Sequence, residues 1–420
     1  MKEMDYFCGQ SVLPLNEICR KFGIINQMRM KKYGFLMAMA SVLGACTPDS
    51  GIDLAVINPA GGSAIMQMAS TPAAPLLEKL GSAHVYVLDS AGREIPSQIT
   101  AAGDLIFPVE IGTGATVGYT VLPSDTAHVY KTVTCGRPYP ERADDVAWEN
   151  ERVGFRVYGP STQRKGERAF GYDIFFKHFN EEPVLPVLYK DETDPAVWAR
   201  VDSLRAIDPK LAQDYIDSFS YHIDHGLGMD CYAVGPTMGD GVAAFIDNDS
   251  ILFAWCYDTV EVLDNGPLRF TARFDFAPRI VGADTAVVEH RIVSLDRGAY
   301  LNRQHTWFDG LGASRRIGAG MPLRQGARMA SGADYAAVTD STQGPDNGMA
   351  LLGVVMPGAE ASALVQNHNV VFKELAPSDT LTHYWGFAWD RENFGTLDDW
   401  GTYLGEVSKA IANPVKVTVK

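Results

Sequence analysis

The sequence is poor in basic charge, in cysteine and in long apolar runs, and each shortage closes off a class of function. Its 420 residues hold 36 Lys and Arg against 51 Asp and Glu, a net charge of −15. A surface that acidic repels phosphate backbones and anionic headgroups, so nucleic acid is not an expected partner. No apolar stretch approaches the roughly 20 residues of a membrane-spanning helix. The sequence has no P-loop, no Gly-x-Ser-x-Gly elbow, no Cys-x-x-Cys, no EF-hand loop and no dinucleotide fingerprint after a strand. No cofactor and no metal are therefore expected, and the field narrows to acid/base chemistry or plain binding.

What is present begins near the N-terminus. Arg29, Lys31 and Lys32 precede the apolar segment Tyr33 to Leu43, which runs into Leu43-Gly44-Ala45-Cys46. A basic head, a short apolar run and small residues before a cysteine form a bacterial lipoprotein signal peptide with its lipobox. Cleavage before Cys46 and lipidation of its thiol are expected, with residues 1–45 removed as an upstream segment plus signal peptide. Thr47 rather than Asp follows the cysteine, which favours the outer membrane, on its periplasmic or cell-surface side. Setting those 45 residues aside leaves a net charge of about −18, so membrane attachment must come from the lipid. Three cysteines remain beyond Cys46. Cys231 and Cys256 lie in neighbouring strand-like segments, and both a disulfide and two free thiols are open readings.

The remaining chain of about 375 residues exceeds the ~250 to 300 at which one core stops growing, so two domains are expected. Residues 46–55 read as a tether. Across 56–124, short alternating runs such as His84-Val-Tyr-Val-Leu and Leu105-Ile-Phe-Pro-Val, set apart by turn residues, read as a small β-sandwich. Residues 125–145, with Pro138 and Pro140, read as a linker, and 146–420 as a larger antiparallel β domain. In Arg269-Phe-Thr-Ala-Arg-Phe-Asp-Phe, alternation places Phe270, Ala272, Phe274 and Phe276 on a core and Arg269, Thr271, Arg273 and Asp275 in a polar row. By the same rule Arg156 and Tyr158 oppose Phe155 and Val157. Asp208-Pro209 reads as an N-cap with proline at the first helical position, opening a helical insertion of the kind that forms lids or pocket walls. A final helix is expected over Thr396–Ala412, with Leu397, Trp400, Leu404, Val407 and Ile411 as its apolar stripe.

Three groups of side chains are candidates for chemistry. The first is Tyr221-His222-Ile-Asp224-His225-Gly-Leu-Gly-Met-Asp230, in which two imidazoles, a group that titrates near neutrality, and two carboxylates sit among glycines. The bland reading is a loop whose polar side chains bond local backbone. The second is a possible sheet face of Arg156, Tyr158, Lys177, His178, Arg273, Glu289 and Arg303, where a guanidinium would bind a carboxylate bidentately; cross-strand ion pairs on a solvated face are the alternative. The third is the tryptophans Trp255, Trp307, Trp385 and Trp389, which are either sugar platforms or core.

The runs Trp148-Glu-Asn-Glu-Arg-Val-Gly-Phe-Arg-Val-Tyr-Gly-Pro, Tyr221-His222 with Gly228-Met229-Asp230 and Val234-Gly235, and Tyr384-Trp385 to Trp389 with Trp400 resemble an uncharacterised family of exported proteins from glycan-degrading bacteria. In that family a small β domain precedes a galactose-mutarotase-like β-supersandwich. The resemblance implies an oligosaccharide or polysaccharide partner without settling a reaction; neither the mutarotase His/Glu pair nor a lyase Asn/His/Tyr/Arg set maps onto this chain. The leading expectation is a carbohydrate-active lipoprotein, a lyase or hydrolase on an acidic, uronate-containing oligosaccharide. His222 or His225 would be the base, Tyr221 or Asp230 the acid or orienting group, and Arg156, Lys177 and His178 would neutralise the substrate carboxylate, with Tyr158, Arg273, Glu289, Trp255 and Trp385 also binding substrate. Hydrolysis would instead draw on Asp224, Asp230 and Glu289. A non-catalytic glycan-binding lipoprotein and a sugar epimerase or mutarotase are the alternatives.

Overall fold

The computed structural model describes residues 51–344 and 346–420. The expected signal peptide and the expected lipobox at Cys46 lie outside the described residues. The architecture is mainly β, with antiparallel sheets, a helical insertion and a C-terminal helix. Among the described residues no helix is long and apolar enough to cross a membrane.

The first strands, Ile52–Ile57 through Thr116–Ser124, form two small sheets. Between these sheets lies a separate core that includes Leu54, Val56, Val87, Phe107 and Val121. Alternation drives it: His84–Leu88 buries Val85 and Val87 and leaves its other positions half-buried. The last strand of the chain, Lys416–Val419, returns to pair antiparallel with Ile52–Ile57, so this sheet is completed by the other end of the sequence. Gln98 Oε1 accepts the backbone N–H groups of Leu268 and Arg269, and Asp264 accepts that of Ala101, tying the small sheets to the larger β part of the chain.

That larger part holds one nine-stranded sheet and two five-stranded sheets whose inner faces share one core. Arg269–Phe276 behaves as its alternation requires: Phe270, Ala272, Phe274 and Phe276 are all buried in that core. Residues 125–145 depart from the linker reading, because Cys135–Tyr139 is a strand paired with Asp145–Glu149. Pro138 is tolerated there because this is an edge strand, whose free side needs no donors, and Pro140 opens the short 3-10 helix Pro140–Arg142 at a position where no donor is needed.

The helical insertion comprises Leu185–Glu192, Pro195–Ile207 and Pro209–Asp217. Asp194 and Asp208 each cap the following helix, accepting the N–H of Ala196 and of Lys210 at 2.8 Å, and each is followed by proline at the first helical position. The final helix is Leu397–Ala412, capped by Thr396. Its Trp400 and Leu404 enter the main core. Cys135, Cys231 and Cys256 are all free.

Candidate functional site

The site begins with strand register. Gly154–Val157 pairs with Asp173–Lys177 so that Arg156 stands opposite Asp173, and on its other side with Asp145–Glu149. Phe155, Trp148, Ile174 and Phe176 face the main core. Period two therefore sends Asp145, Glu149, Arg156, Asp173 and Lys177 to the opposite face. That face is roofed by the inserted helix Leu185–Glu192, whose Leu185, Leu188 and Tyr189 pack with Tyr139, Phe175 and Tyr221 in a small core of their own. A row of charges is thus enclosed beneath a helix, where each charge must find a partner.

Arg156 finds several. Its Nε donates to Asp173 Oδ2 at 2.9 Å and its Nη2 to Asp230 Oδ2 at 2.8 Å and to Tyr158 Oη at 3.0 Å. Tyr158 in turn donates to Asp173 Oδ2 at 2.6 Å. Tyr221 Oη accepts from Arg142 Nη2 at 3.0 Å and Nε at 3.2 Å, and from Arg156 Nη1 at 3.4 Å. Asp230 is brought in by the short strand Gly228–Met229, paired with Phe176 and Lys177, and its N–H closes the loop on Tyr221 O at 2.8 Å. Gly228 is required at that crossing: its φ is +115°, and a Cβ there would overlap Phe176 O.

The electrostatics follow from burial. Asp230 is only 2% exposed. Burial lifts its carboxyl to about 6, with the Arg156 charge working against that rise. Its Oδ1 has no hydrogen-bond partner. Burial likewise raises Asp145 to about 6, against the pull of Arg156 and Arg142. His222 forms the link to solvent. Its Nδ1 donates to Asp230 O at 2.7 Å and lies 3.9 Å from Asp230 Oδ2, while its side chain is 53% exposed. A proton fixed on Nδ1 by a carbonyl leaves Nε2 as the basic nitrogen.

Arg156, Tyr158, Tyr221, His222 and Asp230, all anticipated from the sequence, therefore converge. Others do not. Lys177 is fully enclosed against Glu149 and donates to Asn150 O at 2.6 Å, so it is not free to meet a substrate carboxylate. Arg156 is saturated by its own aspartates. His178 sits between Glu392 (2.5 Å) and Asp224 (2.8 Å), whose hydrogen bonds outweigh partial burial and raise its pKa. Asp224 also accepts the N–H groups of Gly226 and Gly228, a local turn role. His225 is exposed on the same loop.

Glu289 faces the sandwich interior, enclosed by Arg279 (3.0 Å) and Arg291 (2.6 Å), because His290 and not Glu289 pairs opposite Asp275. Arg273 lies on the outer face with Asp275 and Trp307. Trp385 is 0% exposed, stacked on Tyr172 at 3.9 Å, and is core rather than a sugar platform. Trp389 is buried too, whereas Trp255 is 55% exposed.

Sequence reasoning missed Arg142, Asp145, Asp173 and Tyr189. Arg142 and Asp145 fell in the passage read as a linker, and Asp173 joins Arg156 only through strand register. Arg142 is set by a turn in which Ala143 and Asp144 both take positive φ, 55° and 61°. Tyr257 Oη donates to Asp144 O, and Ser161 Oγ to Asp144 Oδ2, holding the turn. Adjacent left-handed residues other than glycine mark stored strain, which gathers at functional sites. Among the described residues, no cluster of three or more His, Cys, Asp or Glu is arranged for a metal ion.

A family model described as "Domain of unknown function (DUF4861)" matches residues 65–417. The chain belongs to that family. The match takes in the strands of the Arg156 cluster, the 221–230 loop and the C-terminal helix alike. Uncharacterized protein P7 of Formosa agariphila is 24% identical to this DUF4861 chain over 327 residues, covering 75% of this chain and 78% of its own. Two solved structures from Enterococcus faecalis are similar at 9% identity over 88% of this chain. One is an α-mannosidase from strain V583, with a TM-score of 0.48 and 46% of its length covered. The other is a protein in glycosyl hydrolase family 38, with a TM-score of 0.46 and 47% covered. The chain spans less than half the length of either.

Proposed function

We propose that this protein is a carbohydrate-active lyase that cleaves a uronate-containing glycan by proton abstraction, with His222 as the base. The carrying observation is the His222–Asp230 pair: Nδ1–H bonded to the Asp230 carbonyl, Nε2 left basic, and the ring half-exposed above a buried carboxyl. In the reaction Nε2 takes the C5 proton of the uronate and the freed electron pair forms the C4=C5 double bond. The C4–O bond breaks, and the leaving oxygen takes a proton back from the imidazolium. Ionised Asp230 stabilises that imidazolium across 3.9 Å.

The substrate carboxylate needs a cation because negative charge develops on it, and Arg142 fits that need. Its guanidinium is anchored on Tyr221 Oη. The Tyr221 ring meets His222 edge-on at 4.6 Å. Hydrolysis by two carboxylic acids is less well served, since Asp224 is tied into its turn and Glu289 is enclosed by two arginines. The carbohydrate class is supported by the family resemblance of the Trp148–Pro160 and Tyr221–Asp230 runs and by the acidic surface, which turns away phosphate polymers. The same reading puts the protein at the outer membrane on a lipid at Cys46.

The test is a panel of uronate oligosaccharides followed by ultraviolet absorbance of the unsaturated product. His222→Ala is expected to slow product formation by about two to four orders of magnitude, the usual worth of a positioned base. New reducing ends with no rise in absorbance would overturn the lyase reading.

A further inference from the structure

The outer face of the nine-stranded sheet carries a second feature, which shares no lining residue with the His222 cluster. Here a cavity of about 340 Å³ lies between the sheet, the C-terminal helix and the segment Ile65–Met68, within the size range of small-molecule sites. Its floor is set by register: Ser294, Arg303 and Tyr384 stand side by side on three neighbouring strands. One wall is the helix face of Tyr403, Val407 and Ile411, spaced four residues apart.

The charges in this cavity do not cancel internally. Arg269 is matched by Asp296 in a two-point contact, at 2.5 and 2.8 Å. Arg297 is matched by Glu181 at 3.0 Å. Arg303 has no such match among the described residues, and its Nε is buried with no hydrogen-bond partner. Its charge is felt next door: burial and then Arg303 drive His305 down to about 4. A buried donor without an acceptor is costly unless something supplies one. A guanidinium with no carboxylate of its own is shaped to take one.

We propose that this cavity is a binding site for a sugar carboxylate, a single uronate ring whose carboxyl pairs with Arg303 while its ring packs between Tyr384 and the apolar helix wall. The site is separate from the reaction proposed at His222 and does not depend on it. Calorimetric titration of the full chain, carried out in the His222→Ala background, uses glucuronate as probe, with glucose and hexanoate as comparisons. Glucuronate is expected to bind, and Arg303→Gln to weaken it by at least about tenfold. Ala410→Phe, which fills the cavity from the helix without touching a charge, is expected to abolish binding and guards against a misfolded Arg303 variant. The proposal is overturned if glucuronate does not bind, if Arg303→Gln binds it as tightly as the parent, or if glucose binds equally well. Hexanoate binding in place of glucuronate would overturn it in favour of an aliphatic acid.

Discussion

Two aspartates carry the energetics of the candidate site at the level of single residues. Asp145 and Asp230 both titrate near 6 rather than near the usual carboxylate value of 3.8. A raised carboxyl binds its proton more tightly in the folded state than in the unfolded one. Stability is therefore full below about pH 4 and falls as pH climbs towards 6. For fully buried Asp145 the loss is on the order of 3 kcal/mol. Asp145→Asn keeps an oxygen for the Gly159 N–H and never ionises. It is expected to gain stability over the parent as pH rises from 4 to 7, and urea denaturation at those two pH values checks this. An unchanged difference between the two proteins would show that Asp145 stays ionised in the fold. The sequence marked Asp230 through its histidine-rich loop, but Asp145 carried no local sign, because its burial comes from a helix placed 40 residues later.

Local patterns were a sound guide at the level of elements wherever the signal was local. Asp208-Pro209 announced its helix and Thr396 the last one, since caps satisfy N–H groups two or three residues away. The strand Arg269–Phe276 announced both its faces. The strand Cys135–Tyr139 was hidden, because Pro138 within it and Pro140 just after it mimic a linker and its partner is found only across a turn. That turn holds Arg142 in place through left-handed Ala143 and Asp144. Ala143→Gly removes a Cβ from a conformation that costs an L-residue roughly 1–2 kcal/mol and loses part of that gain to unfolded-state entropy. A net stabilisation of up to about 1 kcal/mol is expected, read as a small rise in Tm. A fall would mean that Ala143 makes a packing contribution larger than its strain.

For the whole molecule, charge and topology act together. A chain this acidic gains nothing from an anionic membrane surface, so the proposed attachment rests on Cys46 alone. Labelled palmitate fed to the producing cells is expected to appear on the protein and to vanish in Cys46→Ser; labelling that survives would end the lipoprotein reading. The sequence by itself determined the mainly β class and the starts of the helices at Pro209 and Leu397, and it pointed to the loop in which chemistry is sought, because these depend on period, caps and the titratable side chains of one short run. Only the tertiary structure decided which cations are spent and which are free. Arg156 and Lys177, the sequence's choice for a substrate carboxylate, are consumed by Asp173, Asp230 and Glu149, while Arg142 and Arg303 are left with capacity. Strand register and the roof laid over a sheet face set those pairings, and both are long-range contacts that no local run of residues encodes.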